Sequence, residues 1–156
     1  DADSPWFGAD KVAPRRYARR LFDAFVDDVL HPPADVRWLG FKEIRHAMLG
    51  EEFAPFMNFL REMFPNAFIV FNSRDPEAVA KSGWWKKRPP DQVHEIVTGM
   101  DARFAEYAAQ HPDATHLATY EATTAAPASL APLFEKIGEP FDLDEIQRRL
   151  GRRLTH

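Results

Sequence analysis

The chain has 156 residues, 45% of them hydrophobic and 28% charged, with a formal net charge of −4. That length fits one domain with a real core, and the composition excludes a disordered chain. The acidic balance argues against a general nucleic-acid coat, and the lack of cysteine excludes disulfide scaffolds, thiolate metal sites and cysteine nucleophiles. The start, Asp1-Ala2-Asp3-Ser4-Pro5, is acidic where a signal peptide would be basic and then apolar. No apolar run approaches the roughly 20 residues that span a bilayer, so the expectation is a cytoplasmic chain with no membrane partner. The first residue is not methionine, which suggests a trimmed piece.

Residues 1 to 14 read as a lead-in. From Arg15 to Leu30, the positions Tyr17, Leu21, Phe22, Phe25, Val26 and Val29 follow helical spacing, with Arg15, Arg16, Arg19 and Arg20 expected on a solvated face. His31-Pro32-Pro33 ends that helix. Val36 to Phe41 reads as a short strand, and Glu51 to Phe64 as a helix with Phe53, Phe56, Phe59 and Phe64 toward the core. Ala67 to Phe71 is a continuous apolar run that suits a strand buried on both faces. Asp75 and Pro76 predict a helix cap and first turn, with the helix running to about Trp85. Further helices are expected from Gln92 to Gln110, from Ser129 to Ile137 (stopped by Gly138) and from Asp142 to Leu150. A strand is expected within Ala114 to Tyr120. The alternation predicts an α/β fold, a parallel sheet flanked by helices. In such sheets ligands gather at the C-terminal strand ends, here Lys42-Glu43, Ser73-Arg74 and Tyr120-Glu121.

The segment from Phe68 to Ser82 carries the sharpest chemistry. A strand delivers Arg74 to its exit, a capped helix follows whose N–H groups favour an anion, and Ser82 adds a hydroxyl. Guanidinium, hydroxyl and helix start together suit a phosphate monoester. The plainer alternative is a surface arginine paired with Asp75 beside a solvated serine. Trp84-Trp85-Lys86-Lys87-Arg88 is either a helix end with packed tryptophans or a basic aromatic lip. His111-x-Asp113-x-x-His116 reads as a solvated loop rather than a metal site.

Arg74-Asp75-Pro76 with Ser82 resembles the 3′-phosphate segment of the sulfotransferases that use 3′-phosphoadenosine 5′-phosphosulfate. Three other stretches resemble that family in the same order: Trp38 to Arg45 (Trp-Leu-Gly-Phe-Lys-Glu-Ile-Arg), Phe59 to Pro65, and Thr119-Tyr120-Glu121-Ala122-Thr123 with the helix from Leu130 to Phe141. The resemblance covers about residues 36 to 150 of one sulfotransferase-like domain. It implies a P-loop-NTPase-like fold and sulfuryl transfer to a hydroxyl or amine on a small-molecule or glycan acceptor. The phosphosulfate donor would be the co-substrate, with no metal and no nucleic acid. It implies that Arg74 and Ser82 hold the 3′-phosphate, Tyr120 borders the adenine, and Lys42 assists the departing group. Glu43 is the expected base and His46 the second candidate. Arg152 or Arg153 would match a C-terminal basic loop. The family's glycine-rich loop has no counterpart before Trp38: Asp3-Ser4-Pro5-Trp6-Phe7-Gly8 lacks its strand and its cation. The expectation is that the N-terminal strand-loop-helix lies upstream of this chain. Two other functions stand beside this one. A Mg²⁺-dependent phosphotransferase would need a Gly-x-x-x-x-Gly-Lys-Ser/Thr loop, which the sequence does not contain. A non-catalytic binding or assembly module would have kept the sheet and lost the donor loop.

Overall fold

The computed structural model describes residues 8 to 151. Candidate residues Asp3 to Phe7, Arg152 and Arg153 lie outside them. The described chain is mixed α/β. Its helices are α1 (Pro14–Ala24), α2 (Phe53–Met63), α3 (Pro76–Ala80), α4 (Pro90–Gln110), α5 (Tyr120–Ala125), α6 (Ala131–Ile137) and α7 (Leu143–Leu150). The described strands are β1 (Ile69–Ser73) and β2 (Thr115–Thr119). Short 3₁₀ turns fill several joints, and α1 continues as a π-helical turn over Phe25–Leu30.

The two strands run parallel, with Ile69 opposite Thr115 and Ser73 opposite Thr119. The crossover between them carries α3 and α4, as a parallel connection requires. Along β1 the burial alternates: Phe71 is buried while Val70 and Asn72 are exposed. Leu117, opposite Phe71 and on the same face, is exposed, so the core covers β1 more fully than β2. The apolar run therefore does not make a strand covered on both faces. Among the described residues the helical core lies against one face only.

That core is aromatic. Phe53 and Met57 of α2, Phe71 of β1, and Met100, Phe104, Tyr107 and Ala108 of α4 form one buried cluster. Phe71 stacks on Phe104 with centroids 4.6 Å apart and planes 15° apart, and Tyr107 meets Phe71 edge-on at 6.0 Å. The Tyr107 hydroxyl donates to Asn58 Oδ1 at 2.9 Å, which satisfies the one polar atom that the ring carries inward. Phe56 packs on the rim of this cluster, while Phe59 and Phe64 meet Phe22 of α1 at 6.1 and 5.0 Å.

The arginine pairs of α1 divide. Arg19 donates to the Met63 and Glu62 carbonyls at the end of α2, and Arg15 pairs with Glu62 at 2.7 Å. The guanidinium of Arg19 thus caps otherwise orphaned carbonyls and fastens α1 to α2. Arg16 and Arg20 remain exposed. Arg15 is exposed too, with 79% of its side chain accessible, so the expectation of a solvated arginine face holds for all but Arg19.

Val36 to Phe41 forms no strand. Val36, Trp38, Leu39 and Phe41 are exposed in an irregular segment, tied down by Arg37 to Glu139 at 3.2 Å and by Phe41 edge-on to Phe25 at 6.4 Å. A strand exists through its ladder, and no described strand lies alongside this segment. The helix predicted from Pro76 to Trp85 is also shorter. It ends at Ala80, the backbone turns extended at Ser82 (φ −108, ψ 143), and a 3₁₀ turn over Gly83–Lys87 follows, entered through Gly83 at φ +48. Gly138 does what was expected of it, closing α6 in the left-handed region at φ +69.

Candidate functional site

The site begins with the register of the sheet. Ser73 and Thr119 are paired, so the next residues, Arg74 and Tyr120, leave the two strands side by side. The Arg74 guanidinium carbon lies 4.7 Å from the centroid of the Tyr120 ring. A cation over an aromatic face is attracted by the ring quadrupole, and a planar guanidinium also stacks on it. Both side chains are exposed. Asp75 does not take up Arg74: its Oδ1 accepts from the Ala78 N–H at 2.8 Å and caps α3.

The residue after Tyr120 closes the same corner. Glu121 Oε1 accepts from the Asp75 N–H at 3.1 Å, so the start of α5 is bonded to the start of α3. Thr119 caps α5 through its side chain to the Ala122 N–H at 3.3 Å. The helix start expected to welcome an external anion therefore holds two of the protein's own carboxylates. The anion-binding capacity of this corner rests on Arg74. Glu121 appeared in the sequence as a strand-end residue, but its bond to Asp75 needed the two-strand register to be seen.

Ser82 sits at the far end of α3. Its hydroxyl donates to the Val79 carbonyl at 3.0 Å, and its backbone N–H donates to the same carbonyl at 2.9 Å. No hydrogen bond joins Ser82 to Arg74 among the described residues. The hydroxyl retains its lone pairs as acceptors, while its proton is directed back into the helix end.

Lys42, Glu43 and His46 form a second group, on the segment that enters a 3₁₀ turn over Arg45–Met48. Glu43 is held by its own loop. Its Oε1 accepts from the Ile44 and Arg45 N–H groups at 2.8 and 2.6 Å and from Arg45 Nε at 3.0 Å, while Oε2 accepts from Arg45 Nη2 at 2.7 Å. The Arg45 guanidinium, first, and the backbone donors pull its carboxyl down to about 2. His46 lies between rings, 5.1 Å from Phe104 and 6.5 Å from Phe53. Burial pushes its imidazole below the ordinary value, against a smaller opposing pull from Glu43. Lys42 is exposed. Because no strand runs here, the alternation that would have set Lys42 and Glu43 on opposite faces does not apply. No hydrogen bond or ion pair links this group to Arg74, Ser82 or Tyr120 among the described residues.

Trp84 and Trp85 stack on each other at 4.2 Å, with Arg88 6.0 Å from each ring. Trp84 is exposed and Trp85 half-buried, so the packed-tryptophan expectation holds for one of them. Between α3 and the start of α4 runs a groove of about 460 Å³, bordered by Pro76, Ala80, Lys81, Pro90, Asp91 and His94. His111 faces Arg61, with Nη1 2.9 Å from Nδ1, and is engaged there.

No family model, no curated protein and no solved structure matches this chain. Among the described residues, no helix is long and apolar enough to cross a membrane.

Proposed function

We propose that the paired exits of β1 and β2 form the nucleotide edge of a sulfotransferase. The chain would be part of a P-loop-NTPase-like sulfotransferase fold. It binds 3′-phosphoadenosine 5′-phosphosulfate and moves the sulfuryl group to a hydroxyl or amine on a small-molecule or glycan acceptor. The observation that carries this reading is Arg74 lying over the Tyr120 ring at the ends of registered parallel strands. The ring braces the guanidinium, so less side-chain freedom is lost when its fork meets the 3′-phosphate. The other face of Tyr120 borders the adenine. Ser82 contributes its hydroxyl oxygen toward the same phosphate, turning its proton from Val79.

In the transfer, the acceptor oxygen or nitrogen forms a bond to sulfur while the bridging sulfur–oxygen bond breaks, releasing adenosine 3′,5′-bisphosphate. Charge spreads over peripheral oxygens in such transfers, and a cation near the departing oxygen stabilises it. Lys42 fills that role. A base takes the acceptor's proton. Glu43 is a poor base at about 2 with its oxygens bound to Arg45, so the loop favours His46, whose half-buried imidazole is held below its ordinary value by burial.

Titration calorimetry with adenosine 3′,5′-bisphosphate tests the reading. Wild type binds, and Arg74→Ala weakens binding about tenfold or more, the worth of one charge-assisted contact. Equal affinities remove Arg74 from the site, and no binding by wild type removes the nucleotide reading. The engagement of Glu43 favours one second reading: a nucleotide-binding module without turnover. Tight binding of the phosphosulfate donor with no release of the bisphosphate selects it.

A further inference from the structure

The first helix presents a face that its own fold does not use. Tyr17, Leu21, Phe25 and Val29 recur every four residues and are 58%, 53%, 38% and 66% exposed. In an α-helix a four-residue step drifts by about 40°, so such a stripe would wind away around the helix. Here the π-helical turn over Phe25–Leu30 is wider and reverses that drift. Val29 thereby stays near the line of Leu21 instead of winding further round the helix. Phe41, packed edge-on to Phe25 and itself exposed, broadens the stripe at its centre.

The charges beside the stripe are polar along the axis. Arg16 and Arg20 stand exposed in the N-terminal half, whereas Asp27 and Asp28, with Asp23 near the middle, stand exposed in the C-terminal half. The helical spacing sets both pairs on the same flank. Arg15 and Arg19 do not belong to this face, since they are bonded to the end of α2. A helix basic at one end and acidic at the other is complementary to a copy of itself laid antiparallel. A two-fold axis near the middle of the stripe brings like flanks together, sets Tyr17 against Val29 of the other copy and Leu21 against Phe25, and places each arginine pair beside an aspartate pair.

We infer that this chain self-associates through α1 and its π-helical continuation as a symmetric antiparallel pair. The apolar stripe supplies the attraction, and the two charge clusters fix the direction. A parallel two-fold pair would place these flanks on opposite sides of the seam, where the clusters do not meet, and gains nothing from them.

Sedimentation equilibrium tests this. At about 50 µM, wild type is expected at twice the 17.9 kDa of the chain, dissociating on dilution and weakening as salt screens the flank charges. The double variant Arg16→Asp/Arg20→Asp and the double variant Asp27→Arg/Asp28→Arg are each expected to be monomeric, because each sets like charges together. An equimolar mixture of the two regains the dimer, since every pair is again opposite in sign. All four positions are exposed, and circular dichroism checks that each variant keeps its helices. Should the swaps perturb α1, Val29→Lys at the end of the stripe reads the same interface and is expected to be monomeric. A monomeric wild type at that concentration overturns the inference, as does a dimer that survives both charge swaps, or a mixture that stays monomeric.

Discussion

Phe71 of β1 lies flat on Phe104 of α4, 4.6 Å between centroids and 15° between planes, and this contact joins the sheet to the longest helix. Both rings are buried; Phe53 and His46 close around Phe104, and Tyr107 meets Phe71 edge-on. Removing a ring from such a centre loses its transfer energy and leaves a cavity that the neighbours fill only in part.

Phe104→Ala is therefore expected to lose about 3–5 kcal/mol of unfolding free energy. Against the roughly 5–15 kcal/mol of an ordinary domain, that leaves a marginal fold. Urea unfolding followed by circular dichroism measures it. A midpoint shift corresponding to under about 1 kcal/mol would mean that Phe71 and Phe104 are not the centre of the core.

The cap at Asp75 gives a smaller and more local effect. Asp75→Ala removes the acceptor for the Ala78 N–H and is expected to lose about 1 kcal/mol, while Asp75→Asn keeps an acceptor and most of the stability. The Asp75 N–H stays bonded to Glu121 in both variants, so the corner keeps its link between α3 and α5. Denaturant midpoints for the pair separate capping from charge: equal losses in both would assign the effect to the carboxylate's charge.

His46 sets a pH dependence. Burial lowers its folded-state pKa below the unfolded value of about 6.5, so the unfolded chain binds the proton more readily. Stability from this group is complete above about pH 6.5 and declines as pH falls toward the folded-state value. His116, lowered by burial and by Lys136, acts in the same direction. His46→Gln is expected to flatten the melting temperature between about pH 7 and 5 relative to wild type, whatever it does to the absolute value. Parallel profiles would show that His46 does not titrate differently on folding.

Where local chemistry determines structure, the sequence was legible. Asp75-Pro76 opened α3 and Gly138 closed α6, because each acts on backbone within a turn of itself, and the helix read from Asp142 begins at Leu143 with Asp142 as its cap. The segment Val36 to Phe41 has strand-forming residues, yet a strand needs a neighbour, and no local feature supplies one. The same limit applied to Ala67 to Phe71: an apolar run reveals strand propensity, while the number of covered faces depends on helices placed from elsewhere. In the candidate site, the positions of Arg74 and Tyr120 followed from their places after two strands, and their contact followed once the register was known. The Ser82 hydroxyl and the Glu43 carboxylate were not readable in the same way. Each has a local partner, Val79 or Arg45, that competes with any external one.

The one-neighbour strands carry a consequence for how the protein behaves when concentrated. The outer margins of β1 and β2 present backbone donors and acceptors in extended order, on sequences Ile-Val-Phe-Asn-Ser and Thr-His-Leu-Ala-Thr that contain no lysine, proline or other gatekeeper. Lys136 donates to the Thr115 carbonyl at 3.0 Å and so occupies part of the outer margin of β2. Among the described residues, the outer margin of β1 is the one left for further extended chain to join by main-chain bonding.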